Sequence, residues 1–96
     1  MTTHSGLHGY ARDWSEQMAT SGNFQHSNIG AYIQTTSWST IGENIGKGGS
    51  VGSIFNALVS SPSHYNNMVN PAFTHVGVGV YVEPNGTIWT THVFGG

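Results

Sequence analysis

Three residues in this sequence have side chains and surroundings suited to chemistry: His26, Glu43 and His64. Glu43 stands in Ile41-Gly42-Glu43-Asn44-Ile45-Gly46, in a chain of which only 6% is charged. A carboxylate buried among glycines and apolar residues is costly unless donors or a cation stabilise it. His26, in Phe24-Gln25-His26-Ser27, and His64, in Ser61-Pro62-Ser63-His64-Tyr65-Asn66-Asn67, are the candidates to stand beside it. Imidazole is the commonest metal ligand in proteins, and a nearby carboxylate can orient an imidazole or position a water. The expectation is one cleft in which His26 and His64 weakly hold zinc or another divalent cation. Glu43 is the catalytic candidate or the orienting group there, and Asn44 and Tyr65 line the wall. The spacing is unlike His-Glu-x-x-His on one helix and does not by itself select that reading. Each residue also has a plainer role open to it. Glu43 can bind loop amides as a structural carboxylate, and Asn44 can tie down a loop. His26 can be an ordinary loop residue, His64 a surface residue at a helix start, and Tyr65 a packing residue.

Other chemistries find less support. Ser27, Ser61 and Ser63 adjoin or precede the histidines, but none stands in a Gly-x-Ser-x-Gly elbow, so acyl transfer is disfavoured. Arg12 and Lys47 are the only basic residues besides histidine, too few for a nucleic-acid or anionic-membrane patch. No apolar run approaches the roughly 20 residues of a membrane span. The opening Met1-Thr-Thr-His-Ser-Gly has neither the basic nor the apolar region of a signal peptide. With 96 residues and no cysteine, the chain is expected to be a single domain with a modest core and no disulfide.

The elements that must position these residues follow from periodicity. Leu7, Tyr10, Ala11, Trp14 and Met18 recur at helical spacing and predict a helix over 6–20, with Ser5 as its cap and Gly22 as its end. From Asn23 to Trp38 no period holds, and a loop carrying His26 is expected. Ser39 to Lys47 is a short extended segment carrying Glu43. Gly48-Gly49-Ser50 turns the chain, and Ser50 caps a second helix whose buried face is Val51, Ile54, Phe55 and Leu58. Pro62 to Met68 forms a further helical turn. Val76, Val78, Val80 and Val82 alternate with Gly77, Gly79 and Tyr81 as a strand. Glu83 to Thr87 is a turn cluster, and Ile88 to Phe94 completes an antiparallel hairpin. Gly77 and Gly79 are expected to let a helix pack closely on the sheet. His4 and His8 read as solvated, His75 and His92 as structural. The fold class is α+β, a small antiparallel sheet covered by helices.

Four motifs occur in order: Phe24-x-His26-Ser27; Gly42-Glu43-Asn44-Ile45; Ser61-Pro62-Ser63-His64-Tyr65-x-Asn67-Met68; and Asn70-Pro71-Ala72-Phe73-Thr74-x-Val76-Gly77-Val78-Gly79-Val80. Together they resemble the successive signatures of the CAP superfamily, the SCP or PR-1-like domain, and within it the bacterial branch without disulfides. Trp89 to Gly95 resembles that branch's last strand, and Trp14-x-x-x-Met18-Ala19 its first long helix. The resemblance implies an α-β-α sandwich with a cleft where two histidines and acidic residues meet, matched here by His26, His64 and Glu43. Some members of that family bind zinc there. The second glutamate of animal and plant members has no counterpart, since no Asp or Glu lies between Glu43 and His64.

Members of that family are mostly secreted and are implicated in lipid or sterol binding, protein interaction and, less securely, proteolysis. The resemblance therefore implies a non-enzymatic binding module of the cell exterior or envelope, with a two-histidine metal cleft and an unknown lipid, sterol or protein partner. A metal-assisted hydrolase using the same His/Glu cleft is the enzymatic alternative. The family's usual first helical segment lies before the counterpart of Leu7, so 1–96 reads as a single, N-terminally shortened domain. A truncated structural or interaction remnant is the third reading.

Overall fold

The computed structural model describes all residues, Met1–Gly96. In chain order the elements are β1 (Thr2–Thr3), α1 (Ser5–Ser21), α2 (Ile29–Ile33), β2 (Ile41–Gly48), α3 (Val51–Val59), α4 (Pro62–Val69), β3 (His75–Val82) and β4 (Ile88–Gly95). The sheet order is β1-β3-β4-β2, with β4 antiparallel to both β3 and β2. Helix α1 lies across β3 and β4 on one face, and α3 and α4 pack on β2 on the other. This is the expected α+β class and an α-β-α sandwich.

The sheet is mixed rather than wholly antiparallel, because β1 runs parallel to β3, pairing Thr2 with His75 and Thr3 with Val76. Two residues are too short to carry an alternation, so no pattern in the sequence marks this strand. A second departure is α2, one helical turn within the segment expected to be a loop. Asn28 caps it, its Oδ1 accepting from the Ala31 N–H at 3.0 Å.

Helix α1 ends as expected, at Gly22, whose φ of 73° is left-handed and cheap only for glycine. Its start differs. The cap is His4, not Ser5: the His4 Nδ1 accepts from the N–H groups of Gly6 and Leu7 at 3.1 and 3.3 Å. Leu7, Ala11 and Met18 are buried beneath it, with the helix's one unexpected buried polar residue, Ser15. Ser15 Oγ donates to the Gly79 carbonyl at 3.0 Å and meets the Thr91 hydroxyl at 2.8 Å, stitching α1 to β3 and β4. Gly77 and Gly79 make that approach possible. A Cβ on Gly77 would stand 2.1 Å from the Leu7 carbonyl carbon, and one on Gly79 2.1 Å from the Arg12 nitrogen.

The other face is less well covered. Ser50 caps α3 as expected, its Oγ accepting from the Ser53 N–H at 3.1 Å. Of the four residues expected on the buried side, however, only Ile54 and Leu58 are buried, while Val51 is 53% and Phe55 51% exposed. With nine residues, α3 sits mainly over β2 and does not extend across the β3 valines.

Candidate functional site

Strand β2 positions the site. Along it, Ile41 and Ile45 pack with the residues beneath α1, whereas Gly42, Gly46 and Gly48 face Phe73 and Ile54. Alternation along a strand therefore turns the Glu43 side chain towards α1 and that of its neighbour Asn44 towards α3 and α4. Each collects its own set of partners.

On the α1 face, the Glu43 side chain is 1% exposed and its oxygens are engaged. Oε1 meets the His26 Nδ1 at 2.8 Å and accepts from the Ser27 backbone N–H at 2.9 Å. Oε2 accepts from the Ser27 hydroxyl at 2.5 Å, and Ser27 Oγ in turn accepts from the Tyr10 hydroxyl at 2.8 Å. Tyr10 is fixed by stacking on Tyr32, ring centroids 3.8 Å apart. Burial pushes the Tyr10 hydroxyl pKa above its usual 10.0; the Ser27 hydrogen bond opposes this, and the Glu43 charge reinforces it. Tyr10 therefore stays a proton donor at neutral pH.

On the opposite face, Asn44 is fully buried. Its Nδ2 donates to the His64 carbonyl at 3.1 Å, and its Oδ1 accepts from Asn67 Nδ2 at 2.9 Å. Asn44 is thus the clamp that fixes α4 on β2, the structural role open to it from sequence. His64 Nδ1 meets the Ser61 hydroxyl at 2.8 Å. Tyr65 stands 44% exposed on α4. The structure joins His26 to the side chain of Glu43 and the backbone of His64 to Asn44, so the two histidines approach successive residues of an edge strand. No three His, Cys, Asp or Glu side chains gather where they could hold one metal ion.

Sequence reasoning treated Ser27 only as a possible nucleophile and placed Tyr10 only in the core stripe. Adjacency to His26 is the local signal for the first, because here Glu43 takes both neighbours. Nothing local marked Tyr10, because its contact spans α1 and the loop.

With this geometry in place, the comparisons with known proteins decide the family. The Cysteine-rich secretory protein family, CAP, matches residues 1–94. The chain belongs to the CAP family. It does so without a single cysteine. A Bacillus subtilis protein, described as uncharacterized protein YkwD, is 47% identical over 60 residues, 62% of this chain. This CAP domain spans only 23% of that relative's length. Among solved structures, an outer surface protein from Borrelia burgdorferi superposes with a TM-score of 0.88 at 18% identity, over 99% of this chain and 76% of its own. At that identity the likeness speaks to the fold alone.

The CAP domain's donor set can be tested against the metal that the family's resemblance implies. His26 and His64 each have Nδ1 engaged and Nε2 left over, the arrangement in which an outer partner orients a metal-binding imidazole. Glu43, 1% exposed and already engaged by His26 and Ser27, is turned away from solvent. Structural zinc takes four protein ligands and catalytic zinc about three plus water. The residues present do not fit a tight zinc centre, since no three His, Cys, Asp or Glu side chains gather at one point.

The CAP domain also carries an apolar groove of about 540 Å³ where α3 leaves the sheet face open. Val51, Phe55, Met68, Val78 and Phe94 line it, together with His92. Burial, and secondarily the charge of His64, lower the His92 pKa below 6.5, so it presents a neutral imidazole there at pH 7. The sequence reading of His92 as structural omitted this position. No helix is long and apolar enough to cross a membrane.

Proposed function

We propose that this CAP domain is a non-enzymatic binding module of the cell exterior or envelope. Its partner is an apolar, lipid-like molecule held in the groove beside α3, and His26 and His64 contribute to a weak divalent-cation site. One observation carries the non-enzymatic reading: Glu43, the single acidic residue of the site, is buried and spent on His26 and Ser27. A general base must reach the proton it removes. The groove supports the choice of ligand, being concave and mostly apolar with one neutral polar side chain, His92, at its wall. The location is supported by the family description, which is of secretory proteins.

The test pairs thermal melts with a fluorescent fatty-acid titration of the same protein. A ligand that binds only the native state raises stability by RT ln(1+[L]/Kd), about 2.7 kcal/mol at a hundredfold excess over Kd. Zinc is expected to raise the melting temperature at high micromolar to millimolar concentration, an effect lost in the His26→Ala/His64→Ala double variant. The fatty acid is expected to bind and to be excluded by Val78→Asp, which puts a charge in the groove. Specific ester or peptide turnover abolished by Glu43→Gln would replace this reading with the metal-assisted hydrolase.

A further inference from the structure

Of the histidines in this chain, two have an Nδ1 whose hydrogen-bond role is set by an unambiguous partner, and they are set in opposite senses. At His4, Nδ1 faces the N–H groups of Gly6 and Leu7, which can only donate. A neutral His4 therefore carries its proton on Nε2. At His26, Nδ1 faces a carboxylate oxygen of Glu43, which accepts, so a neutral His26 carries its proton on Nδ1 and leaves the Nε2 lone pair free. The ring is 60% exposed, so that lone pair is within reach of solvent.

What holds the carboxylate in that role is not His26 itself. Tyr10 donates to Ser27 Oγ, which commits the Ser27 proton to Glu43 Oε2, while the Ser27 backbone N–H binds Oε1. Both oxygens are thus pinned from the side of α1, and Oε1 is aimed at the imidazole. We infer that Ser27 and Tyr10 are positioning residues for His26: the chain Tyr10–Ser27–Glu43–His26 fixes one imidazole tautomer and points Nε2 outward as an acceptor. The purpose of this device, presenting Nε2 to a cation, rests on the reading given above; the tautomer itself does not.

The experiment is long-range 15N–1H correlation of the histidine rings in the metal-free protein above pH 7.5, in wild type and in Ser27→Ala, Ser27→Thr and Tyr10→Phe. The expected wild-type spectrum has His26 in the Nδ1–H form and His4, as an internal standard, in the Nε2–H form. Ser27→Ala is expected to move His26 towards the Nε2–H form, Tyr10→Phe to do so to a smaller extent, and Ser27→Thr, which keeps the hydroxyl, to restore the wild-type pattern. His4 stays unchanged throughout. Where zinc binds the wild type, Ser27→Ala is expected to weaken it about tenfold, as loss of an outer-shell partner does. A His26 in the Nε2–H form in wild type overturns the inference. So does a His26 unmoved by Ser27→Ala in a cooperatively folded protein. If Ser27→Ala does not fold, an unmoved His26 in Tyr10→Phe overturns it. Absence of zinc binding in the wild type would sink the cation reading and leave the tautomer result to decide this one separately.

Discussion

Replacing Glu43 by glutamine keeps the shape of the side chain and removes the charge that its neighbours are arranged to meet. Three donors converge on the carboxylate: His26 Nδ1–H, the Ser27 N–H and the Ser27 hydroxyl. Bonds to a charged partner contribute about 1.5–3 kcal/mol and neutral ones about 0.5–1.5, so the two bonds retained at the amide oxygen each weaken by about 1 kcal/mol. The amide NH₂ then occupies the place of Oε2, where Ser27 was donating. Ser27 must accept from both the amide and Tyr10, and its own proton loses its partner, at a cost of about 1 kcal/mol or more. The whole substitution is expected to cost about 3 kcal/mol. A domain of this size holds a total of about 5–15 kcal/mol, so the variant remains folded but weakened. Urea titration followed by far-ultraviolet circular dichroism at pH 7 measures the difference. The melting temperature should fall by about 12–24 °C, given about 4–8 °C per kcal/mol for a domain of this length. A loss below about 0.5 kcal/mol, the range of an inert surface change, would refute the view that the buried carboxylate organises the loop carrying His26.

Three further outcomes follow from the packing and the caps. Gly79→Ala places a Cβ 2.1 Å from the Arg12 nitrogen and 2.2 Å from the Ala11 carbonyl carbon. Backbone cannot yield as a side-chain tip can, so α1 must lift from β3, and chemical denaturation should report a loss of at least about 3 kcal/mol. His4→Ala removes the cap of α1 and the edge contact with Trp38 at 5.0 Å between ring centroids. It should cost about 1 kcal/mol in the same measurement, with His4→Asn recovering most of it. His92 has a folded-state pKa lowered by burial and by His64, so the unfolded chain takes up its proton first as pH falls. Its contribution to stability is full above the unfolded value of about 6.5 and is lost as pH falls from there through the folded pKa. Melts between pH 8 and 5 should therefore decline in wild type and decline less steeply in His92→Gln; an equal slope in the two would exclude His92 as a source.

Local order in the chain made several elements legible before any fold was known. The stripe of Leu7, Ala11 and Met18, the Gly22 stop, the Ser50 cap and the alternating valines of β3 each depend on neighbours a few residues away, and each appears as expected. The close approach permitted by Gly77 and Gly79 was also readable, because a glycine alternating with valines leaves one face of a strand bare for a helix. The ordered motifs carried the family. Tertiary structure decided what depends on contacts across the chain. It made His4 a cap, at the point where the chain leaving β1 turns directly into α1. It left Phe55 exposed although its spacing was that of a buried face, because helical periodicity cannot tell whether a second layer reaches far enough to cover it. Above all, it resolved the roles within Gly42-Glu43-Asn44. The sequence brings the two polar residues side by side, and the pleat of β2 sends them to opposite faces, Glu43 to Ser27 and His26, Asn44 to α4. Which carboxylate oxygen meets which donor is fixed by partners 16 and 17 residues away, a distance over which sequence pattern carries no geometry.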